Sequence, residues 1–183
     1  MESRYDTEIQ IIEMSHIEAN GYILDVGGGG EGVIGKLNGN QVVAIDTSER
    51  ELMETRNEAL KVVMDAADLK FLPKSFDVCT AFFSLMYIQK STHKKVFEEI
   101  FRVLKDKGRF LIWDVRIPEN VVGYETFIVH LKVKLPNEEI TTAFGVKWQV
   151  QSIEYFKELA KIAGFRVTKE LKKNEIFHLE IQK

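Results

Sequence analysis

Short runs of β-branched and aromatic residues recur along the first two thirds of the chain, and the stretches between them carry apolar residues at helical spacing. The strand-like runs are Tyr22–Val26, Gln41–Ile45, Leu60–Met64, Phe76–Phe83 and Arg109–Val115. Ser48-x-x-Glu51 has the form of a capping box and predicts a helix from Ser48 to about Ala59. In Thr92–Lys105, the residues Val96, Ile100, Val103 and Leu104 share one helical face. Strands separated by helices of this size predict a parallel sheet covered on both faces, a doubly wound α/β fold.

The last third departs from that rhythm. From Ser152 a helix places Ile153, Phe156, Leu159, Ala160 and Ala163 inward and stops at Gly164, a natural left-handed cap. Phe165–Lys172 and Ile176–Gln182 then follow as strands with only Lys173 to Glu175 between them. So short a connection requires the last two strands to be antiparallel. Upstream, Phe127, Val129, Leu131, Val133 and Leu135 alternate with polar residues, and after Pro136-Asn137-Glu138-Glu139 the alternation resumes from Ile140 through Val150. Residues 124–150 are therefore predicted to form an inserted β-hairpin with one apolar face, which must cover the domain body, a substrate or another subunit. Residues 1–20, with Ile9, Ile12 and His16, are read as an N-terminal helix.

Composition narrows the class. A chain of 183 residues with 45% hydrophobic and 29% charged positions and no linker-like stretch reads as one soluble domain, 1–183. The balance of 25 Lys+Arg against 28 Asp+Glu gives a formal charge of −3, so no basic field gathers nucleic acid. No apolar run is long enough to span a bilayer, and the first twenty residues hold no apolar core of an export signal, so a cytoplasmic setting is expected. The single cysteine, Cys79, excludes an internal disulfide and multi-cysteine zinc sites. Its place inside an apolar strand marks it as an inert core thiol.

The strongest local signal is Ile23-Leu24-Asp25-Val26-Gly27-Gly28-Gly29-Gly30-Glu31-Gly32, directly after a strand. Gly27, Gly29 and Gly32 satisfy G-x-G-x-x-G, and Asp46 lies 19 residues beyond Gly27 at the end of the next strand, where a carboxylate accepts from a ribose diol. That much fits a dinucleotide. Asp25, two residues before the first glycine, opposes a pyrophosphate and favours a cation. S-adenosylmethionine joins an adenosine to a sulfonium and an α-amino group.

Here the chain, from about Tyr22 onward, resembles the class I S-adenosylmethionine-dependent methyltransferases. Ile23–Gly32 resembles the family's first motif, and Val42-Val43-Ala44-Ile45-Asp46-Thr47-Ser48 its second-strand motif. Val63-Met64-Asp65-Ala66-Ala67-Asp68-Leu69, followed by Leu72-Pro73 and Ser75-Phe76-Asp77, is similar to the adenine-binding stretch. Glu98–Lys105 is similar to the helix-end element, with Asp106-Lys107-Gly108 replacing the usual Pro-Gly-Gly. The resemblance implies a Rossmann-like, seven-stranded, mostly parallel sheet of order 3-2-1-4-5-7-6 with strand 7 antiparallel. It implies cofactor contacts from Asp25, Gly27, Gly28, Gly29, Asp46, Thr47, Asp65, Ala66, Phe82 and Phe83, with the Phe82 carbonyl toward the methionyl ammonium. Asp77, at the opposite strand end, reads as structural.

No residue pattern singles out a catalytic group. His130 on the polar face of the hairpin and Tyr87 after the fourth strand are the candidates, and Met86, Tyr87, Tyr124 and Trp148 are candidates for the substrate wall. His16, His93 and His178 read as surface or packing residues. The strand end Ala81-Phe82-Phe83-Ser84-Leu85 lacks the Asn/Asp-Pro-Pro-aromatic motif of amine and amide methylating relatives. Asp114 alone does not make the acid set of metal-dependent relatives, so no metal is expected. The resemblance implies a methyltransferase acting on a small molecule, similar to the menaquinone and ubiquinone methylating group. A noncatalytic cofactor-binding or regulatory subunit, an aminopropyltransferase and, last, an NAD enzyme remain as alternatives. No membrane partner is expected, and a homodimer through the inserted hairpin is one assembly that the pattern allows.

Overall fold

The computed structural model describes residues 3–120 and 122–183. In chain order the strands and helices are β1 (Arg4–Asp6), β2 (Gln10–Glu13), β3 (Ile23–Val26), α1 (Val33–Asn38), β4 (Val42–Asp46), α2 (Glu49–Glu54), β5 (Leu60–Val63), β6 (Phe76–Phe82), α3 (Lys90–Val103), β7 (Leu104–Val115), β8 (Thr126–Lys134), β9 (Glu139–Lys147), α4 (Ile153–Ala163), β10 (Arg166–Lys173) and β11 (Ile176–Gln182). A single 3-10 turn, Leu85–Tyr87, follows β6.

Seven strands form the central sheet in the order β10-β11-β7-β6-β3-β4-β5. Numbered within the sheet and read from β5, this is the expected 3-2-1-4-5-7-6. β11 runs antiparallel to both β10, to which only Asn174 and Glu175 join it, and β7, and the remaining pairs are parallel. β3 and β4 are buried along almost their whole length because both of their faces are covered, and Asp25 and Asp46 are the charged positions within them. One face packs against α3 and α4, where Val96, Phe97, Ile100 and Phe156 meet Leu24, Ile45, Cys79, Phe110 and Ile112.

Helix ends follow local chemistry. Ser48 Oγ accepts from Glu51 N (3.2 Å), and Ser152 Oγ accepts from Tyr155 N (3.2 Å). Gly164 stops α4 at φ 99, a conformation that favours glycine. α2 ends at Glu54 instead of running to Ala59. The reason lies in Thr55, whose hydroxyl bridges the Gly30 and Glu51 carbonyl oxygens (3.0 and 2.6 Å), and in Asn57, whose Nδ2 donates to Gly32 O (3.0 Å). The residues expected to extend the helix instead brace the glycine loop.

The N-terminal helix expected over residues 1–20 is absent from residues 3–20; residues 1 and 2 lie outside the described residues. β1 and β2 instead pair in parallel with successive stretches of β8, whose other edge carries the antiparallel β9. This pairing satisfies backbone groups that a lone β-hairpin leaves open along β8. The resulting second sheet settles what the apolar face of the hairpin covers. Phe127, Val129, Leu131 and Val133 are fully buried in one cluster with Ile23, Val42, Val78, Phe82 and Leu111 of the central sheet. Lys36 of α1 anchors the hairpin tip through Glu138 (2.9 Å). The dimer expectation thereby loses the apolar surface on which it rested.

Leu131→Ala removes a fully buried side chain at the centre of this contact. It is expected to lower unfolding free energy by about 2–5 kcal/mol in urea titrations.

Candidate functional site

The glycine loop leaves β3 at the C-terminal edge of the central sheet. Gly27 has φ 73, and a Cβ there would lie 2.4 Å from Ser84 Cβ. A Cβ on Gly28 would fall 2.8 Å from both Ala44 Cβ and Asp25 Oδ2, so the loop passes through a gap that only glycine fits. The loop amides turn inward. Gly27 N and Gly28 N donate to Ile45 O (2.8 and 2.9 Å), Gly29 N to Asp46 Oδ2 (3.3 Å), and Gly30 N to Glu51 O (3.2 Å). Four successive amides that would otherwise cradle a phosphate therefore end on protein acceptors.

Around the loop lies a cavity of about 440 Å³. Its wall contains five carboxylate residues, Asp25, Glu31, Asp46, Glu51 and Asp65, and no lysine or arginine among the described residues. Such a cavity attracts cations and repels a pyrophosphate. Asp25 is buried and receives one side-chain bond, from Thr80 Oγ1 (2.7 Å). Burial pushes its pKa up to about 7; the Thr80 bond opposes this and the nearby Asp46 charge adds to it. Asp46 also accepts from Ser48 N (2.9 Å), so its carboxylate ties the glycine loop to the start of α2. Asp65 is exposed and accepts from Ala67 N (2.8 Å), which fixes the turn after β5.

All ten residues expected to touch the cofactor line this one cavity: Asp25, Gly27, Gly28, Gly29, Asp46, Thr47, Asp65, Ala66, Phe82 and Phe83. Phe83 holds φ 49, an uncommon value for a non-glycine residue, where the chain turns from β6 into the 3-10 turn. Tyr87 lines the same cavity. Its pKa is pushed up to about 12, chiefly by burial and further by the Asp114 and Glu51 charges. Tyr87 therefore stays protonated at neutral pH.

Other expected residues lie elsewhere. His130 pairs with Asp6 (2.8 Å) on the outer face of the second sheet and is not part of the cavity wall. Met86 is a core residue, and Tyr124 and Trp148 stack on each other (5.7 Å) within a cluster that includes Tyr5 and Phe127. Ile9, Ile12 and His16 do not line the cavity. Asp77 pairs with Lys105 (2.9 Å), as its structural reading requires. Cys79 is buried, with its thiol pKa driven well up by desolvation. Sequence reading missed Glu51, Met64, Ser84, Ile88 and Phe144. Of these, only Phe144 carried a signal, as an inward position on the alternating hairpin; it stacks on Phe83 (5.9 Å).

The sheet order, the inward-turned glycine amides and the acidic cavity agree with a match of residues 24–112 to a family model described as a methyltransferase domain. Residues 24–112 match a methyltransferase domain, on the fold shared by S-adenosylmethionine-dependent methyltransferases. A sterol 4-C-methyltransferase from Caenorhabditis elegans is 33% identical over 168 residues, covering 79% of this chain and 48% of its own length. The chain thus spans about half of that curated relative. Among solved structures, a methyltransferase from Methanosarcina mazei aligns with a TM-score of 0.63 at 18% identity, covering 92% of this chain and 94% of its own. One from Mesorhizobium loti aligns at 0.62 and 11%, covering 91% and 94%. At these identities the structural neighbours establish the fold alone.

The folded domain holds a proton on Asp25, pKa about 7, that the unfolded chain, near 3.8, releases earlier. Asp25 therefore contributes stability below about pH 4 that is lost as pH rises toward 7. Asp25→Asn removes this loss. Thermal denaturation should show the variant gaining more over the original protein at about pH 8 than at about pH 5.

Proposed function

We propose that the chain is a methyltransferase that moves the methyl group of S-adenosylmethionine to a small-molecule acceptor by in-line displacement. The observation that carries this reading is the acidic cavity around a glycine loop whose amides are already used. The donor set fits the cofactor: carboxylates for a diol, an amino group and a cationic centre, and glycine surfaces that a Cβ would fill. When bound, S-adenosylmethionine supplies an activated methyl group on a sulfonium, which is already an excellent leaving group.

In this reading Asp46 and Thr47 take the ribose, Asp65 and Ala66 the adenine, and Asp25 with Gly27, Gly28 and Gly29 the methionyl end. Phe82 and Phe83 line the methyl-donor end, and the protonated Tyr87 orients the acceptor. Phe83, Ile88 and Phe144 make that end apolar and aromatic, which suits an acceptor with an apolar face. The name of the nematode relative, a sterol 4-C-methyltransferase, supports the same acceptor chemistry. Catalysis then rests on alignment and exclusion of water. A noncatalytic cofactor-binding subunit is the second reading.

Calorimetry should show saturable binding of S-adenosylmethionine and S-adenosylhomocysteine, and none of NAD. Asp46→Ala should weaken S-adenosylhomocysteine by about 1–3 kcal/mol, the usual loss of a hydrogen bond to a charged group. Unchanged affinity removes Asp46 from the site, and NAD binding in place of the other two sinks the reading. If cofactor binds and acceptor screens give no methylated product, the noncatalytic reading gains.

A further inference from the structure

The second sheet covers only part of the central sheet. Beyond its β2 edge, side chains of β7, β11 and β10 form rows across one face. These rows are Val115–Ile176–Lys173, Trp113–His178–Leu171 and Leu111–Glu180–Lys169, with Arg109 at the lower end beside Gln182. Residues 11–18 run along this floor as a strap. Lys173 Nζ donates to Ile11 O (3.4 Å) at one end, and Arg109 Nη2 donates to Glu18 O (2.6 Å) at the other. Val115 to Arg109 is six residues of strand, about 20 Å. Floor and strap enclose a groove of about 540 Å³, within the range of small-molecule sites.

This groove shares no lining residue with the cofactor cavity. Phe82 lines the cavity and Trp113 lines the groove, with their rings 6.2 Å apart. Its walls are largely apolar. Ile11 and Leu171, 41% and 53% exposed, both line it, so each leaves aliphatic surface open to a ligand. His178 stacks on Trp113 at 4.3 Å.

The charges leave one end positive. Glu13 is paired with Lys134, and Glu180 with Lys169 and His178. Among the described residues, Arg109 and Lys173 meet backbone carbonyls and no carboxylate. Glu18, an acidic residue of the lining, lies at the Arg109 end through its backbone carbonyl, and we take the Lys173 end as the positive terminus. We propose that the groove binds an elongated apolar carboxylate, its chain along the Trp113 and Leu111 rows and its carboxylate at Lys173. The groove is a second site, independent of the cofactor reading above.

Titration of dodecanoate into the full chain, alone and with saturating S-adenosylhomocysteine, tests this directly. One saturable site is expected, unchanged by S-adenosylhomocysteine. Leu171→Glu should abolish it and Lys173→Glu should weaken it at least about tenfold. Both side chains are exposed on an edge strand, so the fold is retained, and circular dichroism checks this. Absence of saturable heat, binding indifferent to both substitutions, or displacement by S-adenosylhomocysteine overturns the proposal.

Discussion

Asp25 is a carboxylate held out of water with one hydroxyl donor, and much of the site is arranged around it. The neighbouring strand places Thr80 directly opposite Asp25, which supplies that donor. On the other side Ala44 stands in register, small enough for the glycine loop to pass over it. Gly28 is confined between Ala44 and Asp25 Oδ2, so the glycine content of the loop follows from the carboxylate beneath it. Three adjacent strands, β3, β4 and β6, are thus constrained in composition by one ionisable group. A buried acid with so few donors costs stability at neutral pH, a cost associated with ligand sites more than with cores.

The loop is held from the opposite side by residues at the end of β4 and along and just after α2. Thr55, Asn57, Glu51 and Asp46 bind successive loop carbonyls and amides, so the loop keeps its shape through its own hydrogen bonds. This arrangement separates the site from a phosphate-binding glycine turn, in which the same amides face the ligand. The surrounding acids then select for positive charge.

The central sheet was legible because its rules are local. Apolar runs, a capping serine and the short connection between the last two strands determine strand direction without knowledge of the rest. The cofactor-side residues were legible for the same reason: Asp25, Asp46 and Asp65 sit at the ends of recognisable strands. The N-terminus was not. Gln10–Glu13 is a strand because β8 offers it an edge, and nothing in those four residues announces the partner more than a hundred positions away. Ser84 and Ile88 reach the cavity through tertiary packing, which periodicity does not report. His130 illustrates the reverse, a chemically attractive residue whose face of the hairpin turns away from the site toward Asp6.

If Asp25 is neutral before the ligand arrives and faces a cationic centre afterwards, its pKa must fall on binding. Titration of S-adenosylmethionine at about pH 6.5, in buffers of differing ionisation enthalpy, counts the protons exchanged. Release of most of one proton, lost in Asp25→Asn, is the predicted result. Heats that do not change with buffer, or the same release from the variant, would contradict the role given to Asp25.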